Sequence, residues 1–358
     1  MKGQMLDVFQ CRHVDYGPET TALNKCLRCP GRRMRPDKDA RQILLTNHLC
    51  PGDVLVMTAA VECLHEQHPG KFVTGVQATA GEAIFKYNPF VTPITLLGDG
   101  AEVIDMGHGH ELINYSSQRP VHFLQEYTDR LTKSLGVPVV LTRNRSSLYV
   151  SREERNWFSQ VRETGEERPF WIVNAGVKPD YTCKGWGRDN YQAVVDMLQG
   201  QVLFTQVGEA YHLHEPLDGV VNLVGRTDTR QLIRLAWNAY GGLGPTTFLQ
   251  HVMAAFSKPY TCILGGRESH QWSAYPMQQT FHTIGMLDCC RSGGCWRSRV
   301  KSLGDGDTKD QSLCKLPVGM PGRERPACME MVRPERVAEA ILAMARAPTE
   351  KIRMYNVA

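Results

Sequence analysis

Hydrophobic and polar positions in the first half of the chain alternate between short apolar runs and longer segments of helical length. Residues 42–46 have the length of a buried strand, residues 54–68 that of an apolar helix, and residues 71–76 that of a second strand. Such a strand, helix, strand unit implies parallel strands. The same alternation predicts a helix near 82–86, a strand at 101–104, a helix at 121–135 and a strand at 139–141.

A second series of elements follows the charged and polar stretch at residues 151–169. It opens with the apolar run at 170–174, which has the length of a buried strand. Further along, the pattern predicts strands at 202–205 and 260–264 and helices at 191–198, 229–236 and 334–346. Both series therefore indicate an α/β fold.

The length of 358 residues is typical of about two domains. We expect an irregular, cysteine-containing N-terminal segment, two Rossmann-like domains, a cysteine-rich segment and a C-terminal helix. The expected boundaries of these five segments are 1–40, 41–165, 166–285, 286–332 and 333–358.

Composition and charge narrow the classes of function. The net charge of +4 is too small to indicate a nucleic-acid-binding protein, although it suits phosphate-bearing ligands. No run approaches the roughly 20 apolar residues of a membrane-spanning helix, and the first residues lack the apolar run of a signal peptide. The sequence therefore predicts a cytoplasmic protein. In that reducing compartment, twelve cysteines favour metal binding over disulfides.

The segment from Gly242 to Pro259 predicts a phosphate-binding turn. Gly242 and Gly244 permit a tight glycine-rich turn, and Thr246 or Thr247 can cap the apolar helix that follows. Free amide groups and the positive end of the helix dipole at this position favour phosphate. The alternative is one more helix and strand with no ligand.

Four motifs in order give the chain a family resemblance over about residues 42–285. It resembles the bacterial ADP-heptose heptosyltransferases, glycosyltransferase family nine. The motifs are Pro-Gly-Asp-Val-Leu-Val-Met-Thr at 51–58, Ala-Ile-Phe-Lys-Tyr-Asn-Pro at 83–89, Asn-Ala-Gly at 174–176 with Cys-Lys-Gly-Trp at 183–186, and Thr-Thr at 246–247 with His-Val-Met-Ala-Ala at 251–255 and Lys-Pro at 258–259.

The resemblance implies a GT-B fold, in which two Rossmann-like domains face each other across a central cleft. The domain at 41–165 would bind the acceptor, and the domain at 166–285 the nucleotide sugar. The family transfers a heptose from an ADP-sugar with inversion, which requires a general base for the acceptor hydroxyl and positive charge on the leaving diphosphate. By resemblance Asp53 is the base; its alternative role is to cap the helix beginning near Val54.

The resemblance also assigns the donor site. Lys184 matches the family lysine on the donor phosphates. Thr246 and Thr247, with the backbone near Gly244, would bind the diphosphate. His251 matches the family histidine on the following helix, where packing is the alternative role. Gln206 would lie beside the nucleotide by analogy with the fold. The family commonly has an aspartate at the position of Thr246, so the exact donor sugar is open.

The C-terminal cysteines depart from the family pattern. Thiols at 289, 290, 295, 314 and 328 fall within a polar, glycine-rich segment that cannot build a core of its own. A Cys₄ site for zinc, or for iron, would order it, and Cys290, Cys295, Cys314 and Cys328 are the expected ligands. The alternative is a reduced, flexible loop. Cys11, Cys26 and Cys29 form a second candidate group that His13 or Cys50 would complete. The alternative is one site shared by the two groups.

Two competing functions stay open beside the glycosyltransferase. A nucleotide-sugar epimerase on the same fold would need no acceptor, and a non-catalytic binding protein would keep a degenerate site. For a glycosyltransferase, the acceptor is a glycan, a protein hydroxyl or a small molecule. The sequence leaves open which of these it is, and also the oligomeric state.

Overall fold

A computed structural model describes residues 36–107, 121–157 and 159–346, and the backbone alone of residues 9–11 and 32–34. The chain divides into two compact units. The first consists of Met1–Gly109 and Leu124–Glu154, and the second of His110–Phe123 and Arg155–Ala358.

The first unit contains a three-stranded parallel sheet whose first strand in sequence lies in the middle. Strands β1 (Phe9–Cys11) and β2 (Arg32–Met34) form a separate antiparallel pair, and the sheet consists of β3 (Arg41–Asn47), β4 (Phe72–Ala78) and β5 (Glu102–Asp105) in the order β4-β3-β5. The helices are α1 (Pro51–Gln67), α2 (Gly81–Ile84), α3 (Phe123–Leu135) and α4 (Arg152–Arg155), with a short 3₁₀ turn at Ile94–Leu96.

Helix α1 is the buried centre of this unit. Every residue from Val54 to Leu64 is buried, which explains why its sequence is apolar on all sides and not on one stripe alone.

The strand predicted at 139–141 is absent from the structure. The N–H of Val139 donates to Thr132 Oγ1 at 2.8 Å, and that of Val140 donates to Gln67 Oε1 at 2.8 Å. Because side chains of α1 and α3 satisfy this backbone, the segment is held in place without a neighbouring strand.

The second unit contains a six-stranded sheet in which every neighbouring pair is parallel. Its strands are β6 (Phe170–Val173), β7 (Leu203–Gln206), β8 (Val221–Asn222), β9 (Gly241–Gly244), β10 (Tyr260–Gly265) and β11 (Gln278–His282), in the order β11-β10-β9-β6-β7-β8. The first three strands proceed outward from β6 on one side, and the last three proceed outward from β9 on the other. This is the doubly wound Rossmann order, and its direction reverses between β6 and β9.

Helices and short elements complete the second unit. They are α5 (Gln160–Glu163), α6 (Arg188–Met197), α7 (Thr229–Asn238), α8 (Phe248–Ala255), α9 (His270–Ser273), α10 (Ala327–Glu330) and α11 (Pro334–Ala345), the 3₁₀ turns Pro179–Lys184, Asp288–Cys290 and Thr308–Gln311, and the antiparallel pair β12 (Pro317–Val318) and β13 (Arg325–Pro326).

The glycine-rich turn predicted at 242–244 is wrong: these residues belong to β9, a fully buried strand between β6 and β10. Its glycines make room for aromatic rings. A Cβ on Gly241 would lie 2.7 Å from the ring of Trp171, and one on Gly242 would lie 2.8 Å from the ring of Tyr260. Glycine serves here for close packing between strands and not for a turn.

The C-terminal helix closes the core of the second unit. Trp186 is fully buried, packs edge to face on Tyr191 with ring centroids 4.9 Å apart, and donates its indole N–H to the carbonyl of Val332 at 3.0 Å. Val337 and Ile341 of α11 belong to the same buried cluster.

Candidate functional site

The carboxyl ends of β6 and β9 meet at the point where the strand order of the second unit reverses. The N–H of Asn174, which follows β6, donates to the carbonyl of Leu243 in β9 at 2.8 Å. In open α/β sheets ligands bind outside the strand ends at such a switch point. The segments leaving these two strands are therefore the first place to look for a ligand site.

The segment leaving β9 leads into α8 through Thr246 and Thr247. Thr247 occupies the N-cap position, yet its side chain forms no capping hydrogen bond. The predicted capping hydrogen bond is therefore absent. The N-terminus of α8 still presents backbone N–H groups and the positive end of its dipole, which together favour an anion.

Lys184 lies beside these residues. It ends the 3₁₀ turn after β6, and its ammonium donates to the carbonyl of Thr246 at 3.1 Å. The ring of Tyr181 lies 5.8 Å from the ammonium. The structure thus brings together Lys184 and the two threonines that sequence analysis assigned to one diphosphate.

Gly244 is the last residue of β9 and lies two residues before Thr246. A Cβ there would lie 2.8 Å from the main-chain oxygen of Asn174 and 2.8 Å from the hydroxyl of Tyr260. Gly244 therefore sets the close approach of the two strand ends and offers only backbone to a ligand.

A charged pair that sequence analysis missed lies at the same lysine. Glu268 is buried, and its Oε1 lies 2.9 Å from the ammonium of Lys184 and also accepts from Arg267. Burial lowers the pKa of Arg267 below its usual range. The sequence does contain a signal for this pair: Arg267 and Glu268 follow β10 after a single glycine, at buried positions where charged residues are unusual.

Gln206 and His251 are both buried and engaged by the protein itself. Gln206 donates to the carbonyl of Glu215 at 2.8 Å and accepts from the N–H of Leu217 at 2.9 Å. His251 Nδ1 lies 2.7 Å from the hydroxyl of Tyr275. Both side chains hold neighbouring loops in the arrangement that the structure shows.

An imidazole ring lies against the glycines that follow β6 and β7. A Cβ on either Gly176 or Gly208 would lie 2.2 Å from the ring of His214, so only glycine leaves space for that ring. Burial, and then the neighbouring His212, lower the pKa of His214 to about 4. The ring is therefore neutral at physiological pH.

Asp53 lies in the first unit, in the first turn of α1 and near the carboxyl end of β3. The N-cap of that helix is Cys50, so the alternative role of Asp53 as the cap is not the arrangement found. Burial, and then the charge of Asp53, raise the pKa of Tyr127 well above its usual range. Asn47 donates to the Tyr127 hydroxyl at 3.3 Å. Asp53 is thus a partly exposed carboxylate at the carboxyl edge of the sheet, among polar neighbours.

Five thiols of the second unit line one pocket. They belong to Cys183, Cys289, Cys295, Cys314 and Cys328. A hydrogen bond from the Cys183 thiol lowers the pKa of Cys314, whereas burial raises the pKa of Cys328 to about 11. Cys183 is absent from the ligands predicted from sequence, because it lies more than 100 residues before the other four cysteines.

The fourth predicted ligand, Cys290, is placed differently. It is buried, and its thiol lies 3.5 Å from the carbonyl of Thr283 and 3.3 Å from that of Leu287. As the side chains stand, no group of three or more His, Cys, Asp or Glu in the described ranges has the geometry to hold a metal ion. Of the N-terminal group, His13, Cys26, Cys29 and the side chain of Cys11 lie outside the described residues, and Cys50 is exposed.

Arg299 ties the cysteine-rich segment to the turn that carries Lys184. Its buried guanidinium pairs with Asp180 at 2.9 Å, Asp305 at 2.8 Å and Asp310 at 2.5 Å. Asp180 belongs to the 3₁₀ turn that ends at Lys184. The sequence 299–312 is therefore folded back on the candidate site.

No protein-family model and no curated protein matches the chain. Solved structures do match it. A family 9 glycosyltransferase from Veillonella parvula is 13% identical over 87% of this chain and 99% of that chain, with a TM-score of 0.62. The iron-containing dodecameric glycosyltransferase TibC from enterotoxigenic E. coli is 13% identical over 88% of this chain and 79% of that chain, with a TM-score of 0.58. The E. coli ADP-heptose LPS heptosyltransferase II is 14% identical over 85% of this chain and 98% of that chain, with a TM-score of 0.52.

The chain has the GT-B glycosyltransferase fold. The predicted fold class is thereby confirmed, and the family resemblance seen in the motifs is matched by structures of that family. In the second unit the Rossmann strand order places Lys184 at the switch point.

Over the part of the chain that the structure describes, the helices are too short or too polar to cross a bilayer.

Proposed function

We propose that this protein is an inverting glycosyltransferase that moves a sugar, a heptose in our assignment, from an ADP-sugar to an acceptor hydroxyl. One observation carries the proposal. Lys184, Thr246 and the N-terminus of α8 converge at the switch point of a Rossmann-ordered sheet in a GT-B chain. The solved relatives include glycosyltransferases, among them an ADP-heptose heptosyltransferase.

The donor diphosphate would bind at this switch point. Negative charge develops on the leaving diphosphate as the glycosidic bond breaks, so the Lys184 ammonium and the amides at Thr246 and Thr247 would stabilise it most in the transition state. Gly244 allows the backbone to approach closely. We assign Gln206 and His251 to the donor site as residues that keep its loops in place, since their polar atoms already contact the protein.

Asp53 would accept the proton of the attacking hydroxyl. An ionised carboxylate suits this role because the proton must leave as the new glycosidic bond forms. Its position in the first turn of α1, partly exposed among polar neighbours, supports the assignment. Asp53→Asn should abolish transfer without changing ADP affinity, and a near-normal rate would remove Asp53 from the mechanism.

We also propose zinc or iron at the thiol pocket. Thiolates are the donor atoms that both metals accept, and of the predicted set Cys295, Cys314 and Cys328 line the pocket. The fourth ligand predicted from sequence was Cys290. In the structure, Cys183 and Cys289 are the thiols that line the pocket together with those three. A bound metal would order the segment and has no assigned part in the sugar transfer.

The metal content of cysteine variants distinguishes the ligand set predicted from sequence from the set that lines the pocket. Protein purified without chelator is compared by elemental analysis as wild type, Cys295→Ser, Cys289→Ser and Cys290→Ser. Loss of metal in the first two variants alone would assign the ligands to the pocket, loss with Cys290→Ser would restore the set chosen from sequence, and metal-free wild type would end the proposal.

We propose a cytoplasmic location for the protein. No disulfide bond joins the cysteines whose side chains the structure describes, which is usual in a reducing compartment. The acceptor is a glycan, a protein or a small molecule, and nucleic acid has no place in this proposal.

Thermal unfolding in the presence of nucleotides tests the donor site. Wild type, Lys184→Ala and the control Lys301→Ala, whose ammonium pairs with Glu324 at 2.7 Å, are each heated with ADP, UDP, GDP or CDP. Ligand at about 100 times its dissociation constant adds roughly 2.7 kcal/mol of stability. We expect a shift with ADP that Lys184→Ala loses and Lys301→Ala keeps.

Other outcomes point elsewhere. A shift with UDP or GDP instead would overturn the ADP donor, and no shift with any nucleotide would favour a binding protein without transferase activity. Conversion of the nucleotide sugar without any acceptor would indicate an epimerase.

A further inference from the structure

Glu268 is a buried carboxylate at the place where the proposed function puts a diphosphate. It follows β10 and is 3% exposed. Burying a carboxylate is unfavourable unless cations or hydrogen bonds compensate it. Here Lys184 and Arg267 do so, and Lys184 is the same residue that contacts Thr246.

The two cations hold one oxygen of the carboxylate and not the other. Both ion pairs reach Oε1, with the Lys184 ammonium 2.9 Å away. Among the described residues no hydrogen bond is made to Oε2. A carboxylate oxygen accepts hydrogen bonds and donates none, so Oε2 fits a ligand that carries hydroxyl or N–H groups.

Arg267 fixes the orientation of this carboxylate. Its Nε donates to the carbonyl of Arg297 at 2.6 Å, and its guanidinium lies 5.5 Å from the ring of Tyr181 and 5.9 Å from that of Trp296. With the guanidinium held from three directions, Glu268 has little freedom to turn away from Lys184.

A site built only for phosphate would gain nothing from this arrangement. A carboxylate beside Lys184 repels a diphosphate and competes for the same ammonium. A nucleotide sugar differs from a nucleotide by the hydroxyl groups of its second sugar, and these are donors that a carboxylate accepts. Thr246, which touches the same ammonium through its carbonyl, carries no charge of its own.

We propose that Glu268 binds the transferred sugar of the donor: Oε1 is anchored by Lys184 and Arg267, and Oε2 accepts a hydrogen bond from a sugar hydroxyl. This inference rests on the proposed function, because it assumes that the diphosphate lies at Lys184. It makes Glu268 the residue that distinguishes an ADP-sugar from ADP.

Calorimetric titration with two ligands tests the assignment. ADP and ADP-heptose are titrated, without acceptor, into wild type, Glu268→Gln, Glu268→Asp and the control Glu330→Gln, which removes a charge paired with Arg325 elsewhere in the unit. Glu268→Gln should weaken ADP-heptose at least about tenfold, the loss typical of a hydrogen bond to a charged group. ADP should bind as before or more tightly, because a repulsive charge is gone.

The difference between the two ligands separates a sugar contact from a structural role. If Glu268→Gln weakens ADP and ADP-heptose equally, or weakens neither, the proposal is wrong. Glu268→Asp keeps the charge on a shorter side chain, so it should fold even if Glu268→Gln does not, and it should weaken ADP-heptose more than ADP. Failure of the wild type to bind either ligand would instead overturn the proposed function itself.

Discussion

Gly241→Ala tests how the sheet of the second unit is packed. A Cβ at this position would lie 2.7 Å from the ring of Trp171, which is 2% exposed and has no room to move. Inserting a methyl group into a packed core costs about 1–3 kcal/mol. Against this, replacing glycine stabilises by about 0.4–1 kcal/mol through the unfolded state. We therefore expect a net loss of about 1–2 kcal/mol.

Thermal unfolding measures this loss. For a unit of this size, each 1 kcal/mol lowers Tm by roughly 2–4 °C, so a fall of about 2–8 °C is expected. Gly100→Ala is the matched control, because a Cβ there meets nothing within 4 Å. Trp171→Leu removes the ring, so the double variant should lose less than the two single changes combined. Equal stability of Gly241→Ala and Gly100→Ala would refute the idea that glycine is required for ring packing in β9.

Three further predictions concern other parts of the second unit. Gly208→Ala should expel the ring of His214 from its position against this glycine. The pKa of His214 should then return from about 4 toward the ordinary value near 6.5, which an NMR titration would detect. An unchanged pKa would contradict the packing of this ring against glycine. Trp186→Phe keeps the ring contact with Tyr191 but loses the indole hydrogen bond to Val332. Urea unfolding should therefore show a free energy of unfolding lower by about 1–3 kcal/mol. An unchanged free energy would mean that the hydrogen bond does not contribute to stability. Burial lowers the pKa of Lys258 to about 8, so the folded state disfavours the protonated ammonium. The free energy of unfolding should therefore rise as the pH increases from about 8 to 10. Lys258→Met should lose that part of the pH dependence, and identical pH profiles of the variant and wild type would contradict the prediction.

Elements with a clear period or a long apolar run were predictable from sequence. The strand at 42–46 and the helix at 54–68 correspond to β3 and α1 within a few residues. Strand β9 was not predictable, because Gly241, Gly242 and Gly244 have no side-chain pattern and the aromatic rings that require them lie on other strands. The strand predicted at 139–141 was wrong for a different reason. Its apolar residues have the pattern of a strand, but its backbone N–H groups donate to side chains and not to a neighbouring strand.

Some residues of the candidate site were predictable from sequence and others were not. Lys184 and Thr246 were assigned to one ligand from their motifs, and the structure places them in contact. Glu268 and Cys183 were missed because each joins its partners only through folding: Cys183 lies far in sequence from the other thiols, and Glu268 has no spacing motif that links it to Lys184. Tertiary neighbours of this kind are beyond any local pattern.

The hydrogen bond between Trp186 and Val332 has a consequence for synthesis on the ribosome. It spans 146 residues, and the buried cluster around it includes Val337 and Ile341 near the end of the described chain. At translation rates of about 5–20 residues per second, roughly 7–30 s separate the emergence of the two partners. The second unit therefore completes its core only after residue 341 has been made, and a ribosome that stops before residue 332 leaves Trp186 exposed to chaperones and proteases.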